Sequence, residues 1–422
     1  MSNFTTDLYE TKREIINFSK NICEGLSKPE QKFMMDMMYG VHHSQNVLLS
    51  DISRSLNEQV KLRNTIERLS DHLASFSDDS LNKIKDNYYR NIIKHIDNEP
   101  LVLLDNSEIV KRYGKKFEDM CMVKDASSLD GDILPGYHIC EATVVTKKEK
   151  QPISLYSKIY STESDEFKSM NDETFKSIEA VKEALQRKCT FVCDRGYDAN
   201  TYYNYFLKDD CNDDFIIRLK GNRNLLFKGK SKSVEETAKK RKGKVKMEMY
   251  FSKEDKTVYV SHTKAELPGH KGKLLTLVII YGLGETAPMM LLTNKKVSCK
   301  EDLHKIVRAY MSRWRIEENF RFKKEQYKLE NMRVRTLHAM NVMNTILMIL
   351  VGNIGLLAES IDKKLLVIKM IERGKALKSK AYLWYYQIVK GIKTILRHAH
   401  NGIREFQDIR KKEEYKQLQL NL

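Results

Sequence analysis

The stretch Tyr310-Met-Ser-Arg313-Trp-Arg-Ile-Glu317-Glu-Asn-Phe-Arg-Phe-Lys-Lys324 organises the reading of the whole chain. At about 100° per residue, a helix carries Tyr310, Arg313, Glu317 and Lys324 within roughly 60° of one another. One turn upstream the same stripe is apolar, with Leu303, Ile306 and Val307, so this charged face should turn toward the protein. Inward charges need partners. A phosphate held by Arg313 and Lys324, with a metal on Glu317, would supply them. The plainer alternative is a solvated helix with an i,i+4 Arg–Glu pair.

Two aspartates end apolar runs earlier in the chain. Leu101-Val-Leu-Leu104-Asp105 follows Pro100, and Thr190-Phe-Val-Cys193-Asp194-Arg-Gly196-Tyr197 has the same form. Between them, residues 136–146 and 152–160 alternate as strands around a polar hairpin, and residues 166–187 carry a helical apolar stripe. A helix near 199–207 and the strand Phe215-Ile-Ile-Arg-Leu219 complete a β-β-β-α-β-α-β order. That order is the ribonuclease H-like α/β layout, whose first and fourth strands are neighbours. Asp105 and Asp194 would therefore end side by side. With Glu317 they form a hard oxygen-ligand set suited to Mg²⁺ or Mn²⁺ rather than Zn²⁺. Two such ions, about 4 Å apart, can serve both sides of a phosphodiester.

Composition agrees with a polyanionic partner. The 422 residues hold 74 Lys and Arg against 57 Asp and Glu, a net charge of +17. Nucleic acid is the first reading and a membrane surface the second. Residues 1–7 are polar, so no secretory leader is expected there. The most apolar window, residues 339–358, contains Asn341, Asn344 and Asn353 and reads as a buried helix rather than a membrane span. The seven cysteines form no C-x-x-C pair and fit reduced thiols in a cytosol. His42-His43 and His398-Ala-His400 lack further ligands at metal-site spacing.

The domain reading is a helical DNA-binding region over 1–97 and the first part of the core over 98–220. A β-rich insertion over 221–296, the catalytic helix over 297–335 and a helical C-terminal region over 336–422 follow. In the first, residues 49–56 and a helix buried through Leu62, Ile66, Leu69 and Leu73 suit a helix-turn-helix. That arrangement would present Lys61, Arg63, Asn64 and Arg68 to a major groove. Strands are expected at 245–251, 257–262, 274–281 and 289–293, after a lysine-rich stretch between Lys228 and Lys246. No proline follows Pro288, so the last third can be nearly all helix, with a charged tail over 404–420.

The spacing Y-x2-R-x3-E-x6-K from Tyr310 to Lys324 resembles the YREK signature of bacterial insertion-sequence DDE transposases of the insertion sequence four type. Asp194-Arg195-Gly196-Tyr197 resembles that family's D-R-G-[FY] element, and Leu291-Leu292-Thr293 its short strand leaving the insertion. Asp105-Asn-Ser-Glu-Ile-Val-Lys111 is a looser match to the first-aspartate block. The resemblance covers residues 100 to 335 or so. It implies Asp105, Asp194 and Glu317 as catalytic and metal-binding residues, with two Mg²⁺ ions that Mn²⁺ can replace. Tyr310, Arg313 and Lys324 would hold the terminal phosphate of the non-transferred strand. It further implies a homodimer that binds terminal inverted repeats and target DNA in the bacterial cytoplasm, at the nucleoid. Such a dimer would nick each end, form and reopen a hairpin, and join the 3′-ends to the target. Some relatives stack a base on a tryptophan just before the L-L-T strand, where this chain has Met289. Met289 would pack on a base more softly, and Trp314 either packs beside the site, the plainer reading, or offers another stacking face. Two other readings are a DNA-binding regulator derived from an inactive transposase and a metal-dependent nuclease without strand transfer.

Overall fold

The computed structural model describes residues 2–125, 128, 130–251, 254–284, 287–361, 364–374, 384–399 and 402–403. The chain forms two compact units, one drawn from residues 1–96, 106–185 and 318–422, the other from 97–105 and 186–317.

The first unit opens with α1 (Ser2–Ile22), α2 (Lys28–Ser44), α3 (Leu49–Leu56), α4 (Leu62–Ser75) and α5 (Asp78–Ile92). Strand β1 (Leu101–Val110) belongs to this unit from Asn106 onward. It is followed by β2 (Cys121–Lys124), β3 (Ile133–Val145), β4 (Pro152–Tyr160) and α6 (Met170–Leu185). Here β3 lies between β2 and the later half of β1, and β4 pairs antiparallel with β3. Helix α2 begins in a capping box, with Ser27 and Glu30 each serving the other's backbone and Pro29 in the first turn.

The second unit holds β1 up to Asp105, then β5 (Thr190–Cys193), α7 (Asn200–Phe206) and β6 (Asp214–Arg218). The β7 (Asn224–Phe227) and β8 (Lys230–Ser233) hairpin, α8 (Val234–Lys239), β9 (Val245–Phe251), β10 (Glu254–Ala265), β11 (Leu275–Tyr281), β12 (Met289–Thr293) and α9 (Lys300–Met311) follow. Strands β1, β5 and β6 are parallel and nearly continuous apolar runs, as befits strands covered on both faces. The insertion extends this sheet, because β12 pairs antiparallel with β6 and leads on to β11, β10 and β9. Part of the expected lysine-rich loop is instead the β7–β8 hairpin. Its turn residues Lys228 and Gly229 both take positive φ, as a two-residue hairpin of this twist requires. With the strands of the first unit, the order and pairings are those of a ribonuclease H-like core.

Helix α10 (Trp314–Gln326) enters the first unit from Glu318, followed by α11 (Leu337–Glu359), α12 (Leu365–Arg373) and α13 (Trp384–Leu396). Tyr382, Leu383 and the 404–420 tail lie outside the described residues. By length and apolarity α11 could cross a membrane, yet 89% of its most apolar window is buried in protein. Two of its asparagines, Asn341 and Asn344, find backbone partners there. Asn341 donates to Ile159 O at 2.9 Å and accepts from Ile159 N at 2.8 Å, closing the free edge of β4, while Asn344 donates to Ser157 O at 3.1 Å. At Gly352 a Cβ would stand 1.9 Å from the Tyr88 hydroxyl, which donates to Ser154 O at 2.9 Å. Only glycine allows α11 that approach.

The most polar feature of this core is the pair Glu141–Lys323, both 0% exposed. Lys323 Nζ donates to the two Glu141 oxygens at 2.8 and 2.7 Å, and Ser154, Ser157 and Asn319 also donate to that carboxylate. Burial pulls the Lys323 pKa down, and Glu141 opposes it. A buried charge that loses its partner is costly, about 3–5 kcal/mol. Lys323→Met should therefore destabilise strongly in urea titrations, and Glu141→Gln/Lys323→Met should recover much of the loss. A single-variant loss within the scatter of surface substitutions would show the pair to be solvated.

Candidate active site

The candidate residues are best built from strand register. Leu101, Val102 and Leu103 of β1 stand opposite Thr190, Phe191 and Val192 of β5. Carried two residues further, the same parallel register sets Asp105 beside Asp194. The neighbouring Cys193 reports the result. Its thiol is pushed well up by burial first, then by the negative charges of Asp194 and Asp105, against the pull of Arg313. Asp194 caps the turn Arg195–Tyr197, its Oδ1 accepting from Gly196 N at 2.7 Å. A Cβ at Gly196 would press on that oxygen at 3.0 Å, which accounts for the glycine in Asp-Arg-Gly-Tyr.

The stretch from Tyr310 to Lys324 is two helices where the sequence suggests one. Helix α9 ends at Met311 and α10 starts at Trp314. Between them the bonds are short-range: Arg313 N to Tyr310 O at 2.9 Å, Arg315 N to Ser312 O at 3.0 Å and Ile316 N to Arg313 O at 3.1 Å. The break puts Arg313 in the joint and Glu317 in the first turn of α10. The single-helix arc for Tyr310 therefore fails, whereas the i,i+4 relation of Arg313 to Glu317 survives.

Arg313 is the hub. Its guanidinium donates to Asp105 Oδ2 at 3.3 Å and to Glu317 Oε1, and it is largely buried, while Glu317 stays 51% exposed. Burial is the largest single influence and works to lower its pKa; Glu317 and Asp105 together outweigh it and carry the guanidinium above its usual range. Tyr310 is buried beside the same group. Burial raises its pKa, Arg313 and Arg218 lower it, and Asp194 raises it. Sequence reasoning missed Arg218. Its signal was a cation breaking the apolar run Phe215–Leu219 at the carboxyl end of the third parallel strand, the edge where Asp105 and Asp194 also lie.

The other predicted residues are placed differently. Lys324 pairs with Glu330 at 3.4 Å. Met289 is 4% exposed and opposite Ile280 in the sheet, so it fills the core and offers no face to a base. Trp314 is 42% exposed, with the Arg315 guanidinium 5.3 Å from its ring centre. In the helix-turn-helix, Asn57 supplies the positive φ usually given by glycine. Arg63 is exposed and pairs with Glu67 at 2.7 Å, but Arg68 is drawn inward to Asp36 at 3.0 Å and Glu58 at 3.1 Å. Thr65 takes the buried place expected of Leu62, which is exposed. Burial holds the pKa of His42 down at about 4, and its Nδ1 lies 3.3 Å from the Tyr327 hydroxyl.

The carboxylate set suits a hard divalent ion in its chemistry. In geometry, no group of three or more His, Cys, Asp or Glu among the described residues stands as a ready ligand cluster. Arg313 already supplies the counter-charge between Asp105 and Glu317, so an ion must compete with it. Arg313→Ala should therefore gain more thermal stability from Mn²⁺ than the unaltered protein, and Glu317→Gln less. Equal shifts in all three proteins by scanning fluorimetry would separate the ion from these oxygens.

Residues 161–351 match the family model described as the transposase DDE domain, a span that includes Asp194 and Glu317 and begins after Asp105. Transposase DDE domains use divalent metal ions. No curated protein matches the sequence. Among solved structures, a cryo-EM structure of a piggyBac transposase synaptic complex with hairpin DNA aligns at TM-score 0.44 and 12% identity, covering 94% of this chain and 81% of that one. A likeness of that size carries no argument. On the family match, the enzyme is a DDE transposase.

Proposed function

We propose that this transposase is of the YREK, insertion sequence four type, and that it excises and inserts its own element as a homodimer on the terminal inverted repeats. The observation that supports this best is the Arg313 guanidinium joined to both Asp105 and Glu317, where the β1–β5 register sets Asp194 alongside Asp105. Two Mg²⁺ ions on Asp105, Asp194 and Glu317 would activate a water or a 3′-hydroxyl and stabilise the leaving oxygen. The chain's own residues do the positioning. Arg313, released from Asp105, turns its planar fork to a phosphate of the cut strand, with Tyr310 and Arg218 beside it. Trp314, partly exposed, supplies the stacking face for a base during hairpin formation, a role closed to the buried Met289. The setting is bacterial cytoplasm, at the nucleoid, with Arg63 on the exposed side of α4 contributing to end recognition.

The decisive experiment incubates the protein with duplexes that carry the inverted repeats flanking its coding sequence, with Mg²⁺, and resolves nicks, hairpins and joined products. Glu317→Gln should abolish all three while gel-shift binding of the ends persists. Equal cleavage by both proteins removes the catalytic assignment. End binding should also weaken steeply with salt, with a slope of about −0.9 for each phosphate neutralised. A flat salt response would remove the large DNA footprint.

A further inference from the structure

Within the first unit, a groove of about 760 Å³ runs between the loop 110–117 and the segment 330–335. Both segments follow a catalytic carboxylate in sequence, the first after Asp105 and the second after Glu317 and α10. The walls are tied together from within. Lys111 is buried, and its Nζ donates to Glu330 O at 2.8 Å and Met332 O at 2.6 Å while lying 5.7 Å from the Phe117 ring centre. Nearby, Glu118 N donates to Arg335 O at 3.0 Å. The loop turns sharply, Gly114 N donating to Lys111 O at 2.7 Å, and a Cβ at Gly114 would crowd Phe117 at 3.0 Å.

With its floor fixed, the groove is lined by six basic side chains against two acidic ones, Asp125 and Glu330. Glu330 already faces Lys324 at 3.4 Å, and Asp125 meets Arg112 at 3.5 Å. Arg112, Lys115, Lys116, Arg333 and Arg335 are exposed along the two walls. Like charges brought together on a concave face repel one another, which costs stability unless a polyanion lies between them. Tyr113, also in the lining, is 89% exposed, the highest value among the exposed large apolar side chains described. An aromatic ring held in water among cations fits a stacked base whose phosphates follow the basic walls.

We infer that this groove is a binding track for an unpaired DNA strand, with Arg112, Lys115, Lys116, Arg333 and Arg335 on its phosphates and Tyr113 stacked on a base. The inference rests on the transposase reading for its occupant and deepens it, since strand cleavage creates unpaired ends that must be held. A duplex offers the walls its phosphates but no open base to Tyr113.

Fluorescence anisotropy of the full-length protein with a labelled single-stranded oligonucleotide, and with its duplex, tests this. Arg112→Ala/Lys115→Ala/Lys116→Ala and Arg333→Ala/Arg335→Ala alter only exposed side chains. Each should weaken binding of the single strand at least tenfold and flatten its salt slope by about 0.7 for every phosphate left without its cation. Tyr113→Ala should weaken the single strand and spare the duplex, and Tyr113→Phe should restore it. Unchanged affinity and slope in both basic variants overturn the track. Equal effects of Tyr113→Ala on strand and duplex overturn the unpaired occupant. Cleavage assays of the unaltered protein, run alongside, keep the two readings apart: groove variants that lose the strand while the unaltered protein never cleaves its ends leave the track standing and remove transposition. Normal cleavage with normal strand binding in the groove variants does the reverse.

Discussion

Everything chemical in the second unit depends on one guanidinium lying between two carboxylates. Asp105 comes from the middle of β1, which runs on to Val110 where the apolar run had suggested an end, Glu317 from the first turn of a helix more than two hundred residues later, and Arg313 from the joint just before that helix. Left alone, the acids would repel one another in a place where burial weakens water's screening. The arginine removes that penalty and holds the acids together. Its charge is single and spread over a plane, whereas a compact divalent ion would bind carboxylate oxygens directly and so would compete with it for them.

Secondary structure and packing conspire to put Arg313 there. A continuous α-helix would have kept it on a regular surface; the tightened turns at Ser312 and Arg313 end α9, and from that joint the side chain reaches Asp105. The parallel pairing of β1 with β5 is fixed by apolar residues buried on both faces, and a slip by one residue would lift Asp194 out of line with Asp105. The placing of the two aspartates is thus inherited from hydrophobic register.

Much of this was legible in the sequence because the informative residues sit where a pattern stops. Apolar runs that end in aspartate located both acids, although only β5 stops at its own while β1 continues to Val110, and the spacing of Arg313 and Glu317 marked the i,i+4 pair. The strands of the insertion showed by alternation, and their sites at β9 to β12 agree closely with the pattern. What was hidden depends on partners distant in sequence. Nothing near Arg68 announces Asp36 or Glu58 as its destination, and nothing near Met289 tells that a sheet neighbour will cover it. The α9–α10 break lacks proline or glycine, so no local residue type marks it. Strand β2 is too short for its period to show, and the β7–β8 turn is disguised by its lysines.

The interleaving of the units has a bearing on how the enzyme is born. The chain passes from one unit to the other four times, and two of those passages come directly after Asp105 and after Glu317. No ribosome-bound fragment short of residue 318 contains the pieces of the first unit that close around the buried Glu141, whose partner Lys323 is still unmade. The amino-terminal helices must therefore wait for late-arriving segments, a long-range assembly that folds slowly. A product terminated before residue 317 would lack both Glu317 and the interior counter-ion Lys323.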